Sequence, residues 1–134
     1  NRPYDKQNQP RILQETQAKV DIQHSVANGE LELVVSTMLF RENSVNKNRE
    51  ARSYIEHFML DHGSTLVISN IPVVKTIREG IMATGIKTAD ATHLASAICS
   101  HCDYFITSDD RILKYRTDEI KILNPVQFMK EVRQ

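Results

Sequence analysis

Three acidic residues, Glu42, Asp90 and Asp109, have the chemistry and the positions that metal-assisted hydrolysis requires. Each is predicted to lie near the carboxyl end of a strand or in the first turn of a helix, at one edge of a sheet. Carboxylates gathered there raise one another's pKa unless a cation neutralises them. Mg²⁺ or Mn²⁺ would do so and would activate water to hydrolyse a phosphodiester. The structural alternative is that these acids only complement helix dipoles.

Residues 85–115 contain two of these acids and predict a helix followed by a strand. Thr88 is a suitable N-cap, and apolar residues follow it at helical spacing, which places Asp90 in the first turn. Residues 104–107 form a β-branched and aromatic run that predicts a short strand, and Asp109 comes just after it. In a parallel sheet these positions share one edge, so we expect the two carboxylates to converge although they are far apart in sequence.

Helix and strand patterns alternate along the whole chain. The predicted order is helix 9–27, strand 31–36, helix 37–42, helix 49–61, strand 65–68, helix 71–83, helix 88–100, strand 104–107, helix 110–115, strand 120–123 and helix 126–132. Glu42 then lies about one turn into the helix that follows the first strand. This alternation predicts one α/β domain over residues 1–134, with a mainly parallel sheet and right-handed crossovers.

Three of these segments carry specific predictions of burial. Helix 9–27 is predicted to pack through one apolar face, made of Ile12, Leu13, Thr16 and Val20. Helix 49–61 is predicted to bury its large apolar side chains, which are Tyr54, Ile55, Phe58 and Met59. Strand 65–68 is a short apolar run, which is typical of a strand covered on both faces of its sheet.

The balance of charge limits how this protein could bind nucleic acid. Seventeen basic and seventeen acidic side chains cancel, so no overall positive field attracts RNA or DNA. Binding would need local basic clusters, and the sequence offers Arg2, Lys6 and Arg11; Arg41, Lys47, Arg49 and Arg52; and Arg111, Lys114 and Arg116. An evenly solvated surface is the alternative. The polar first ten residues and the lack of a long apolar segment predict a cytoplasmic protein without a membrane span.

Two further motifs favour structural roles. Cys99 and Cys102 form a C-x-x-C pair at the predicted end of a helix, where the dipole does not lower a thiol pKa, and no second pair completes a zinc site. His93 follows Asp90 by three residues and could share a metal with it, but the oxygen-rich donor set favours packing or a hydrogen bond near the edge. Neither a Gly-rich phosphate loop nor a G-x-S-x-G elbow occurs, which disfavours nucleotide triphosphatases and serine hydrolases.

Two runs resemble the PIN-domain family of ribonucleases, which includes the VapC-type toxins. They are T-A-D-A-T-H-L-A at residues 88–95 and D-Y-F-I-T-S-D at residues 103–109. Residues 1–5, 9–12, 31–36 and 123–128, together with Glu42, resemble one bacterial subgroup, so the resemblance covers nearly the whole chain. It implies a three-layer α/β/α sandwich around a mainly parallel sheet of about five strands.

The resemblance also implies a catalytic site. Glu42, Asp90 and Asp109 match the family's conserved carboxylates, which hold Mg²⁺ or Mn²⁺ for cleavage of single-stranded RNA, whereas the family varies at the position of Asp110. Lys87 and Arg111 are positions that could contact phosphate. The family begins with an apolar central strand ending in its first metal-binding aspartate, and we expect that segment immediately before Asn1. Without it, a divided sheet with unpaired edges, weak metal affinity and little activity are expected.

These observations predict a metal-dependent endoribonuclease, the toxin of a toxin–antitoxin pair. The partners implied are RNA, an antitoxin protein that blocks the acidic edge, and a second copy that supplies a strand in a homodimer, with no membrane involved. The first alternative is a catalytically weak or inactive PIN-fold module that binds protein or RNA. A second alternative, a phosphate-transfer or receiver-like α/β domain, is disfavoured because no phosphate loop is present.

Overall fold

Seven helices and four short strands make up the part of the chain that the structure describes. The structure is a computed structural model, and it describes residues 3–133, with side chains from residue 9 onward. The elements are α1 Pro3–Ala27, β1 Leu33–Ser36, α2 Thr37–Ser44, α3 Arg49–His62, β2 Gly63–Val67, α4 Pro72–Met82, α5 Thr88–Cys99, β3 Tyr104–Ile106, α6 Asp110–Leu113, β4 Lys121–Leu123 and α7 Pro125–Val132. The predicted mixed α/β class is confirmed.

The four strands pair in parallel, but they form two separate sheets. β1 pairs with β2, and β3 pairs with β4. In the second sheet the register runs from Tyr104 opposite Lys121 to Ile106 opposite Leu123. Within residues 3–133 no strand pairs with both β1 and β3, so these residues show parallel α/β pairing without one continuous sheet.

Both sheets rest on one apolar cluster that α4 and α5 largely build. Its buried members include Val74 and Ile81 from α4 and Leu94 from α5, and Val74 and Leu94 are completely inaccessible to solvent. Val67 of β2 belongs to the cluster, and Phe105 of β3 packs against it. Helix α5 therefore supports strands from both sheets, and this shared contact joins the two halves of the fold.

A second, smaller cluster covers the opposite face of β3 and β4. Ala18 of α1 meets Phe128 and Met129 of α7 there, and Tyr104 and Ile106 pack against them. Successive side chains of a strand point to opposite faces, which explains why Phe105 joins the first cluster while its two neighbours join the second. The β3–β4 sheet is thus covered by helices on both faces.

Helix α1 packs through a different face from the one predicted. Leu13 is 70% exposed and Ile12 is 54% exposed, whereas Ala18 is buried against α7. Thr16 and Val20 are exposed as well. The prediction is wrong because it followed the largest apolar side chains, while the contact between α1 and α7 is made through a small alanine that lets the helices approach.

The predicted burial of two other segments is right for Met59 and Val67 and wrong for most of their neighbours. In α3 only Met59 is buried, Phe58 is half-buried, and Tyr54 is 57% exposed with Ile55 at 38%. In β2 Leu66 is 57% exposed, as is Ile68 just beyond the strand at 51%. Since β2 pairs with β1 alone among the described strands, it is an edge strand, and only Val67 reaches the core.

Helix α3 passes into β2 without a loop, and Gly63 makes this junction possible. The Gly63 N–H donates to the carbonyl of Met59 and so caps the helix. A Cβ on Gly63 would lie 2.6 Å from that carbonyl oxygen and 3.1 Å from Cγ2 of Val35. Glycine is therefore needed here because there is no room for a side chain. Its backbone conformation is not the reason, because a φ of −66° suits any residue.

The turn before β1 makes that strand shorter than predicted. The N–H groups of Glu30 and Leu31 donate to the carbonyl of Ser25 at 2.9 and 3.3 Å, so both residues belong to the turn after α1.

Among residues 3–133 no helix has both the length and the apolar character to cross a membrane. Of the predicted basic clusters, Arg2 lies outside the described residues and Lys6 outside the described side chains.

Candidate functional site

The three predicted acids lie on the elements that the sequence indicated. Glu42 is in α2, which begins directly after β1, and the hydroxyl of Ser36 caps this helix by accepting from the Leu39 N–H at 3.2 Å. Asp90 is half-buried in the first turn of α5. Asp109 follows β3 and caps α6. Glu42 and Asp109 therefore each lie after a strand, β1 and β3 respectively, in different sheets, and Asp90 lies at the start of α5.

Glu42 makes one close contact, and its partner is His93 of α5. The distance from His93 Nε2 to Glu42 Oε1 is 2.8 Å, and the two side chains are 15% and 46% exposed. His93 lies one helical turn after Asp90, so this contact brings the Glu42 carboxylate to the first turns of the helix that carries Asp90. Two roles were open for His93 from the sequence, a shared metal ligand or a side chain that packs or forms a hydrogen bond, and the structure shows the hydrogen bond.

Buried hydroxyl groups tie the start of α2 to α5. The Ser69 N–H donates to Thr37 Oγ1 at 2.9 Å, and the Met38 N–H donates to Ser69 Oγ at 3.4 Å. Ser69 Oγ lies 3.1 Å from Ser96 Oγ, whose hydroxyl donates to the Thr92 carbonyl at 2.8 Å. Because the Ser96 hydrogen is used in that bond, Ser69 donates to Ser96. Helix α2 is thus held to α5 both at its start and at Glu42.

Asp109 is occupied by local contacts. Its Oδ1 accepts from the Arg111 N–H at 2.9 Å, which caps α6, and lies 3.8 Å from Arg111 Nε. Its own N–H donates to Thr107 Oγ1 at 3.1 Å. The Asp109 side chain is 35% exposed. One face of this carboxylate can therefore meet a ligand, while the other stabilises the turn that follows β3.

The three predicted acids have the right chemistry for a metal site but not the right proximity. Their carboxylate oxygens are the donors that Mg²⁺ and Mn²⁺ prefer. However, no group of three or more His, Cys, Asp or Glu side chains lies close enough together to hold an ion anywhere in the part of the chain described. Glu42, Asp90 and Asp109 consequently suit such an ion in chemistry, but the structure does not bring all three together.

Two basic side chains, Lys87 and Arg111, are close in sequence to Asp90 and Asp109, and a third, Arg11, contacts Asp110. Lys87 is exposed at the N-cap position of α5, so the predicted N-cap, Thr88, is the first helical residue instead. Arg111 is exposed beside Asp109. Arg11 of α1 donates to Asp110 Oδ1 at 3.2 Å, a contact that raises the pKa of this arginine. No sequence signal could have found this last contact, because the two residues are 99 positions apart.

Two surface cavities lie away from the acids. One, of about 430 Å³, is at the opposite end of β3 and β4 and is lined by residues that include His101, Asp103 and Glu119. The other, of about 590 Å³, runs between α1 and α7. Glu42, Asp90 and Asp109 line neither of these two cavities.

The cysteine pair lies where the sequence placed it, at the end of α5. Cys99 and Cys102 are both half-buried free thiols, and Cys102 Sγ lies 3.4 Å from Ser100 Oγ. His101 between them has a φ of 58°, in the left-handed region, as the chain turns from α5 toward β3. The helix C-terminus does not favour a thiolate, so this arrangement offers no activation of either sulfur.

Comparison with known proteins gave no relative: no protein-family model, no curated protein and no solved structure matches this chain. The contacts described above are therefore the basis for any functional proposal.

Proposed function

We propose that this chain is a PIN-type, metal-dependent endoribonuclease that hydrolyses single-stranded RNA, the toxin of a toxin–antitoxin pair. The observation that carries the proposal is the 2.8 Å contact between Glu42 and His93. It places Glu42 beside α5, where Asp90 lies one turn before His93. Asp109, which follows β3, is the third carboxylate of the proposed site.

The arrangement of the two sheets supports the three-layer sandwich that this proposal assumes. β1 and β3 each contact α5, and both sheets are parallel and rest on one apolar cluster. An additional apolar strand between β1 and β3 would complete a single sheet with helices on both faces, which is the three-layer sandwich of the PIN family. An aspartate at the end of that strand would be a fourth acid at the same edge.

Each of the chain's own residues has a distinct role in this proposal. Glu42, Asp90 and Asp109 are the carboxylates that would hold Mg²⁺ or Mn²⁺, and such an ion supplies an activated water when bound. Lys87 and Arg111 are exposed at the same edge, where cationic side chains would attract the phosphates of RNA. Because the described residues do not bring three metal-binding side chains together, we expect low metal affinity.

The test is cleavage of a mixed-sequence single-stranded RNA in the presence of Mn²⁺. The parent chain, Asp90→Asn and Asp61→Asn are purified in parallel, because Asp61 is an exposed acid in the last turn of α3 and receives the same chemical change away from the site. We expect cleavage by the parent and by Asp61→Asn, and loss of cleavage in Asp90→Asn. Addition of EDTA should abolish the activity.

Equal cleavage by all three proteins would count against the proposal, since it would indicate a contaminating nuclease or another site. Absence of cleavage by the parent would favour the second candidate, a PIN-fold module that binds RNA or protein without catalysis. One observation favours that candidate: the described residues do not bring three metal-binding side chains together. Such a module would bind its partner equally well with EDTA present.

A further inference from the structure

We propose that His93 is the positioning residue of the site, and that its hydrogen bond fixes the Glu42 carboxylate beside the first turn of α5. This inference rests on the proposed function, in which Glu42 is a site carboxylate, and adds a residue to it. His93 would not touch the RNA. Its effect on catalysis would act through Glu42.

The exposure of the two side chains indicates which one holds the other. His93 is only 15% exposed and belongs to a helix whose neighbouring residue, Leu94, is completely buried. Glu42 is 46% exposed and lies near the end of a helix of only eight residues. A carboxylate so placed would sample several rotamers in water. The bond to a constrained imidazole selects one of them.

The contacts of the His93 imidazole indicate which ring nitrogen carries a hydrogen. Nε2 faces a carboxylate oxygen at 2.8 Å, and two acceptors would repel each other at that distance, so Nε2 carries a hydrogen and donates it. Nδ1 is buried and has no hydrogen-bond partner in the described part of the chain.

The geometry of α2 explains why this bond matters for the site. At its start α2 is held by the hydroxyl groups of Thr37 and Ser69. Thr37 lies more than one turn before Glu42 along the helix, so this contact is some distance from the Glu42 side chain. The bond to His93 is the second point at which α2 is fixed to α5. Hydrogen bonds that orient a functional carboxylate are commonly worth about 10- to 100-fold in activity.

The experiment compares three substitutions of His93 in the otherwise unchanged chain. His93→Gln can place an amide N–H near the position of Nε2, His93→Asn is polar but too short to reach Glu42, and His93→Leu keeps the bulk without a donor. We measure kcat and KM for cleavage of single-stranded RNA with Mn²⁺. The ¹⁵N NMR spectrum of histidine-labelled parent protein independently reports which ring nitrogen of His93 carries the hydrogen.

We expect kcat to fall about 10- to 100-fold in His93→Leu and His93→Asn and to be largely restored in His93→Gln, with KM little changed. The NMR spectrum should show the Nε2–H form. Equal activity of the parent and His93→Leu would overturn the positioning role alone. A His93→Gln protein as inactive as His93→Leu, or a spectrum in which Nε2 of His93 carries no hydrogen, would overturn it as well. A parent that does not cleave RNA would instead refute the proposed function, and the positioning role with it.

Discussion

Replacing glycine by alanine should have opposite effects at Gly63 and Gly80, and this pair tests the direct junction between α3 and β2. At Gly63 the new methyl group would lie 2.6 Å from the carbonyl oxygen of Met59, closer than carbon and oxygen can approach without movement. It would also press on the side chain of Val35 at 3.1 Å. At Gly80, inside α4, nothing lies within 4 Å of the added carbon.

The magnitudes follow from these distances. The carbonyl of Met59 is backbone and already accepts the capping hydrogen bond of Gly63, so it can move only by disturbing the end of α3. Overpacking of this kind costs about 1–3 kcal/mol, and the reduced freedom of the unfolded chain returns less than about 1 kcal/mol. We therefore expect Gly63→Ala to destabilise the fold by about 1–2 kcal/mol. Gly80→Ala should stabilise it by about 0.5–1 kcal/mol, since alanine is the better helix former.

Urea unfolding followed by circular dichroism measures both effects in one experiment. The midpoint of unfolding should fall for Gly63→Ala and rise for Gly80→Ala, with the slope of free energy against urea unchanged in both. If Gly63→Ala were as stable as the parent or more stable, α3 and β2 would not meet as closely as described. A loss of stability in Gly80→Ala would show that this part of α4 is not a regular exposed helix.

Three further predictions concern the core, a helix cap and an ion pair. Leu94→Ala should cost about 3 kcal/mol in unfolding free energy because Leu94 is completely buried. Leu13 is 70% exposed, so Leu13→Ala should cost less than about 1 kcal/mol. Similar losses in the two variants would contradict the packing of α1. Asn124→Ala should cost about 1 kcal/mol by removing the cap of α7, and Asn124→Asp should retain most of it; equal loss in both would refute the cap. The hydrogen bond from Lys121 lowers the pKa of Glu131, so Glu131→Gln should be less stable than the parent near pH 7, and unfolding curves at about pH 3 should show that difference shrinking as the carboxylate of the parent is protonated. A difference in stability that grew as the pH fell would contradict the lowered pKa of Glu131.

The sequence best predicted those structural features that depend on residues adjacent in the chain. The strand–helix order and the first-turn position of Asp90 both follow from short patterns, and the structure has them. Burial was predicted less well, because it depends on which elements meet. The face of α1 is set by α7, more than a hundred residues later, and the exposure of Leu66 reflects the position of β2 at an edge.

The candidate site shows the same division. The elements carrying the three acids were predicted correctly, since the residues that follow a strand or begin a helix can be recognised locally. The contact between Glu42 and His93 spans 51 positions, and that between Arg11 and Asp110 spans 99. Their pairing is decided by the way α2 and α1 dock on the rest of the fold, which no local pattern encodes.

The absence of a backbone ladder between the two described sheets changes what controls the distance between the acids. In a continuous sheet, hydrogen bonds fix the spacing of neighbouring strands at about 4.8 Å, and residues at the strand ends inherit that spacing. Here Glu42 follows one sheet and Asp109 the other, and both sheets meet on the side chains of α4 and α5. Among the described residues no ladder sets the separation of these two carboxylates, and the packing of core residues such as Leu94 and Val74 contributes to it. A methyl group added to or removed from that core is therefore expected to change the gap between the acids without touching either one.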